Sequence, residues 1–253
     1  MESQDFSMQY DWEILCKNKV LCIAGWWFTF WAGILNAFST YSVIFMRTTH
    51  MSGRVTDQAK NLLTNPAMAL FITVVLASFV TGSYYGTKAL PRLGMTYSLL
   101  VPVLPLLLTA VLVYFGFTAA GKYSMEPWRF LLGMMMPFAA GWQNSITSQG
   151  RIGRTTHFTG DLTDLGILLA SGNRERASYI AIKYSGFVAG GMIGYLGGQS
   201  VPALTLVGLA GGYTATVVVL HLKNALAAQP AVSRATQWKN TGKEEAVYGK
   251  GNS

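Results

Sequence analysis

Apolar residues in this chain neither alternate nor keep to one helical face; they run on almost unbroken. The stretches 20–46, 68–86, 97–119, 130–146, 179–197 and 201–222 hold hardly any charge. Several reach the roughly 20 residues that a helix needs to cross about 30 Å of hydrocarbon. Trp26, Trp27, Trp31 and Trp128 sit toward the ends of such stretches, as interfacial belts do. The pattern predicts an all-α, polytopic membrane protein of about six transmembrane helices. The polar segments after the first and fourth stretches predict short helices there.

Composition sharpens this reading. Of 253 residues, 51% are hydrophobic and only 12% charged, about half the charged share of a soluble domain. The net charge of +8 could suggest nucleic acid, but the basic residues flank apolar runs, so that partner is excluded and the bilayer takes its place. With both termini inside, the inner segments hold Lys17, Lys19, Lys88, Arg92, Arg151, Arg154, Arg174, Arg176, Lys183, Lys223, Arg234, Lys239, Lys243 and Lys250, 14 of the 19 basic residues. The outer segments keep Arg47, Arg54, Lys60, Lys122 and Arg129. The expected topology is therefore N-in, C-in, in a bacterial inner membrane or a eukaryotic organelle or plasma membrane. Residues 1–12 are polar and acidic, unlike a signal or transit peptide. The tail 225–253 has a composition that does not order by itself. Cys16 and Cys22 make no disulfide framework or metal motif; they read as packing or interfacial thiols.

An internal repeat divides the chain. Arg47-Thr48-Thr49-His50-Met51-Ser52-Gly53-Arg54-Val55-Thr56-Asp57 returns as Arg154-Thr155-Thr156-His157-Phe158-Thr159-Gly160-Asp161-Leu162-Thr163-Asp164, identical at seven of eleven positions. Asn36 precedes the first copy and Asn144 the second, and Gly82 and Gly86 match Gly190 and Gly194. The expected organisation is a polar segment at 1–19, three-span units at 20–120 and 121–222, and a polar tail at 223–253. Three spans per unit is odd, so the units should face opposite ways as a 3+3 inverted repeat, a plan common in secondary transporters.

Each Arg-Thr-Thr-His segment lies where a span ends and a short helix begins. Ser52 and Thr159 are natural N-caps, and a helix start attracts anions through its free N–H groups and dipole. Arg47 and Arg154 add charge, His50 and His157 can carry a proton near neutrality, and Thr48, Thr49, Thr155 and Thr156 supply hydroxyls. These residues are candidates for solute binding or gating. The alternative is structural: Arg47 pairing with Asp164 and Arg154 with Asp57 across a pseudo-two-fold axis. Asn36 and Asn144, inside apolar spans, either bond a neighbouring helix or line a polar path. Gly186, Gly190, Gly194 and Gly198, with Ser78, Gly82 and Gly86, form four-residue ladders expected to pack helices closely. No catalytic or metal motif stands out, so no enzyme is expected, and no cofactor is assigned.

Through Gly33-Ile34-Leu35-Asn36-Ala37, Ser52-Gly53 and the Thr155–Leu165 segment, the chain resembles the YoaK-like family of membrane proteins over roughly residues 20–222. The resemblance implies six spans and a transporter-like fold without a settled substrate. Where that family typically has Thr-Gly-Asn, this chain has Ser52-Gly53-Arg54. The leading expectation is a small secondary transporter or permease for an anionic or polar solute, with its site at the repeat interface. The alternative is a non-catalytic scaffold or accessory subunit of a larger membrane complex, with other membrane subunits or further copies of the chain as partners.

Overall fold

The structure, a computed structural model, describes residues 19–225 other than 151 and 157. The expectations for Cys16, Lys17, Arg151, His157, the N-terminal segment and the tail from 226 onward fall outside the described residues. The regular secondary structure of the described residues is all helical, without strands. Helix α1 is Lys19–Phe38, continued by a π-helical turn Ser39–Val43; α2 is Met51–Thr64; α3, Pro66–Leu100; α4, Val103–Tyr114; α5, Pro127–Gln149; α6, Phe158–Ala170; α7, Arg174–Ser200; and α8, Pro202–Leu222.

Local chemistry sets the boundaries. The Asn65 side chain accepts the Met68 N–H at 3.1 Å, with Pro66 next to it, where a proline's missing N–H costs nothing. Asn173 caps α7 in the same way through the Arg176 N–H. Gly94 (φ 70°) divides α3 into two helical pieces. The third apolar stretch ends as a helix at Tyr114, not near 119, because Gly116 (φ 83°) turns left-handed and the Phe117 N–H closes back on the Leu112 carbonyl. The expected short helices after the first and fourth stretches are α2 and α6. Their caps differ from expectation, however. Residue 50 occupies the N-cap of α2, so Ser52 is already helical; Thr159 is likewise the second residue of α6.

Among the described residues, three stretches are long and apolar enough to cross a membrane: Lys19–Val43, Pro66–Tyr114 and Pro202–Leu222. This is compatible with an integral membrane protein. Helices α5 and α7 have the length but carry Arg129, Gln143 and Asn144, and Arg174, Glu175, Arg176 and Lys183, respectively. Gln143 donates to the Phe28 carbonyl of α1, and Lys183 bonds Asp161 of α6. Helix α7 also inverts the water-soluble pattern: it buries Gly186, Gly190, Gly194 and Gly198 and exposes Val188, Met192, Ile193 and Leu196. A helix in water would do the opposite.

The packing rests on two crossings, α1 on α7 and α3 on α5, with α4 against α8, α2 on α3 and α6 on α7. The crossings are built alike. A Cβ at Gly190 would lie 2.0 Å from the Phe30 carbonyl oxygen, and one at Gly82 would lie 2.2 Å from that of Phe138. From the opposite side, Gly33 meets the Phe187 carbonyl and Gly141 that of Phe79. The helices therefore touch backbone to backbone. The Ser78 hydroxyl donates to the Val74 carbonyl of its own helix at 2.7 Å.

Gly190→Ala or Gly82→Ala should push a crossing apart and cost about 1–3 kcal/mol. Gly191→Ala meets nothing within 4 Å and should be neutral or stabilising. Thermal unfolding of the purified protein in mild detergent checks the contrast.

Candidate functional site

The helix path is broken twice, at the two copies of the repeated motif. After α1 the chain widens into the π-turn, where the Ser39 carbonyl accepts from both Ile44 and Met46. Phe45 then adopts φ 54°, a left-handed conformation that costs a non-glycine residue roughly 1–2 kcal/mol. After α5 the second break turns at Gly153 (φ 76°), where glycine carries no such cost.

Thr48, Thr49, Thr155 and Thr156 are all buried, and three of them tie their break to the preceding helix. Thr48 and Ser39 share a hydrogen bond of 3.2 Å between hydroxyls. Thr49 donates its hydroxyl to Asn36 Oδ1 at 2.9 Å, its N–H points to the same oxygen at 3.4 Å, and its oxygen lies 3.3 Å from His50 Nδ1. In the second break Thr155 and Thr147 share a hydroxyl contact of 3.0 Å, and Gln143 Nε2 donates to Thr155 and to the Phe28 carbonyl of α1. The fourth threonine differs. Thr156 Oγ1 and Asn144 Oδ1, the counterparts of the bonded Thr49–Asn36 pair, are buried without hydrogen-bond partners among the described residues. Buried groups left in this state are costly, each by about 1–3 kcal/mol.

The two breaks converge on Phe187, the middle residue of α7. The His50 ring centroid lies 5.7 Å from that of Phe187, and the Phe158 centroid lies 4.5 Å from it. Arg47 and Arg154 are exposed at the outer ends of the segments, while Ser52, Thr159 and Asp164 are exposed on α2 and α6. The expected cross-pairs do not form. Among the described residues the ion pairs are Arg54–Asp57, 2.8 Å within α2, and Lys183–Asp161, 2.6 Å between α7 and α6. Asp57 thus takes a neighbour one helical turn away rather than Arg154, and Asp164 faces outward. Burial lowers the Arg54 guanidinium pKa, Asp57 opposes the shift and Arg47 adds to it. The arginine stays charged, so the first segment gathers two cations around one carboxylate.

Several decisive residues were not singled out from sequence. Lys183 counts there as an inner-segment cation, but it is buried in α7 and also donates to the Arg154 carbonyl at 2.8 Å. Arg129 counts as an outer-segment cation, yet it is fully buried. It donates to the Ile44 carbonyl through Nε at 3.2 Å and Nη2 at 2.8 Å, to the Lys122 carbonyl at 2.8 Å and to that of Ser124. Its guanidinium lies 4.4 Å from the Phe71 ring centroid. Tyr179 donates its hydroxyl to the Ile152 carbonyl at 2.7 Å. One signal was available: a charge embedded among apolar and small residues is expensive unless it has a task.

The model of a family described as protein of unknown function (DUF1275) matches residues 24–220. No curated protein and no solved structure matches the chain.

Lys183→Met should cost about 3–5 kcal/mol, because Asp161 is left buried and uncompensated, and Lys183→Met/Asp161→Leu should recover most of that loss. Denaturant titration of both variants in detergent measures the difference.

Proposed function

Since the chain belongs to the DUF1275 family, whose function is unknown, the site itself must carry the argument, and we propose that the protein is a small permease for an anionic or polar solute. One observation supports this above others. Two helix breaks bearing the same motif approach the middle of α7, and at the second of them Thr156 and Asn144 keep buried polar atoms without partners among the described residues. Broken helices beside a polar pocket are how transporter folds present backbone and side-chain groups to a solute. Arg47 and Arg154 stand exposed at the approaches, suited to attracting negative charge.

In this reading the six long apolar stretches are six spans, and the motif copies belong to two units of opposite orientation. The resemblance to YoaK-like proteins supports the first part, and the like-built crossings support the second. Rocking of one crossing against the other exposes the breaks alternately. The ion pair Lys183–Asp161 ties α6 to α7, while Arg54–Asp57 stays within α2.

A second reading, an accessory subunit of a larger membrane assembly, is favoured by Arg54. It stands where the second copy has Asp161 and spends its charge on Asp57 of the same helix, as a disused site would. Native mass after gentle extraction separates the two: one to three copies for a permease, co-migration with a large assembly for a subunit.

In proteoliposomes, Asn144→Leu and Thr156→Val should lower uptake of a transported anion roughly tenfold or more, the equivalent of a lost hydrogen bond to a charged group. Arg154→Ala should abolish it, and normal uptake by that variant removes the arginine role. For the orientation, Arg47→Cys and Arg154→Cys in a Cys16→Ala/Cys22→Ala background should react with an impermeant maleimide from opposite faces. Labelling of both from one face rejects the inverted repeat.

A further inference from the structure

A cavity lies away from both breaks. It is an elongated cleft of about 510 Å³ between α1 and α8, walled by Val20, Ile23, Trp27, Trp31, Ala215 and Lys223 among others. Both helices belong to the stretches apolar enough to cross a membrane, so the cleft opens toward hydrocarbon. Val20 and Trp31 mark its extent along α1, and at 1.5 Å per residue the cleft runs about 16 Å. Its volume is room for about 17 water-sized groups at about 30 Å³ each, comparable with the methylenes of one acyl chain.

The walls suit such a chain. The Trp31 indole N–H is already satisfied by Thr216 Oγ1 at 3.1 Å. Gly212 lets that ring lie flat on α8, since a Cβ there would come within 2.3 Å of it. The Trp27 and Trp31 rings stack at 5.3 Å, giving a smooth aromatic side. The polar end is equally distinct. Lys223 lines the mouth, and Lys19 precedes Val20 at the same end; both are exposed and have no acidic partner among the described residues. An apolar slot with two lysines at the membrane-interface end matches a lipid with a negative headgroup. A peptide would need hydrogen-bonding groups along the slot, and the helical backbones forming its walls are internally bonded.

We propose that the α1–α8 cleft binds one acyl chain of an anionic phospholipid, whose phosphate is held by Lys223 and Lys19. This does not depend on the transport reading; a scaffold subunit could bind the same lipid.

The tryptophans report occupancy. The full-length protein is reconstituted into phosphatidylcholine vesicles containing equal mole fractions of either dibrominated phosphatidylglycerol or dibrominated phosphatidylcholine, and its fluorescence is recorded. The anionic brominated lipid should quench more strongly. Lys223→Gln should cut its relative association about fivefold, and Lys19→Gln/Lys223→Gln should erase the difference. Trp27→Phe should remove most of the excess quenching. If that variant does not fold, Ala215→Phe serves instead, filling the cleft from an exposed position and expelling the chain. Equal quenching of the natural protein by both lipids overturns the proposal. So does an excess that survives the double lysine variant or Ala215→Phe.

Discussion

Direct backbone contact between crossing helices is the constraint on which the rest of this structure depends. At α1–α7 and α3–α5 no side chain separates the main chains, and a single methyl at Gly190 or Gly82 would collide with a carbonyl oxygen. Hydrocarbon gives helices no hydrophobic incentive to associate, so close packing and dispersion must do that work. The crossings fix where each break falls. Gly33 packs on the carbonyl of Phe187, and it is the Phe187 ring that His50 and Phe158 meet. The same small residues that bring the helices together thus bring the two breaks to one place.

Much of the fold was legible because length and apolarity decide it. Most apolar stretches anticipate a long helix within about five residues, but α3 runs on from the second stretch (68–86) to Leu100 and takes in the start of the third (97–119), whose remainder is α4, Val103–Tyr114; the glycine ladders mark the crossing faces. Boundaries that depend on backbone conformation were less readable: Gly94 and Gly116 end helices only because they turn left-handed. The site was legible in part. The repeated motif locates both breaks, and Asn36 and Asn144 stand beside them. Its partnerships were hidden, because hydrogen-bond partners come from helices distant in sequence. Arg129 reaches Ile44, and Lys183 reaches Asp161. Counting both as topology signals treated them as loop cations, and the rule that a buried charge needs compensation would have flagged them instead.

The two breaks are unequal in a way the repeat conceals. The first is closed by its own hydrogen bonds, includes a left-handed phenylalanine and keeps its ion pair within α2. The second turns on a glycine, borrows Lys183 from α7 and leaves two polar atoms without partners among the described residues. Closed, strained geometry suits a fixed wall, whereas open polar valence suits a surface that exchanges partners. Similar sequences thus take different local structures, and the differences lie in single residues: left-handed Phe45 against left-handed Gly153, and Arg54 against Asp161.

Arg129 carries a consequence for the order in which the molecule can be made. It belongs to α5, yet it supplies the donors that satisfy Ile44 in the first break, and the closest neighbours of α1 and α3 are α7 and α5. When the first half has left the ribosome, α1 and α3 lack the surfaces they are shaped to meet, and the widened turn after α1 has an unclaimed carbonyl. The sequence midpoint is thus not a boundary of assembly. Each half completes the other, and the first must wait for the second.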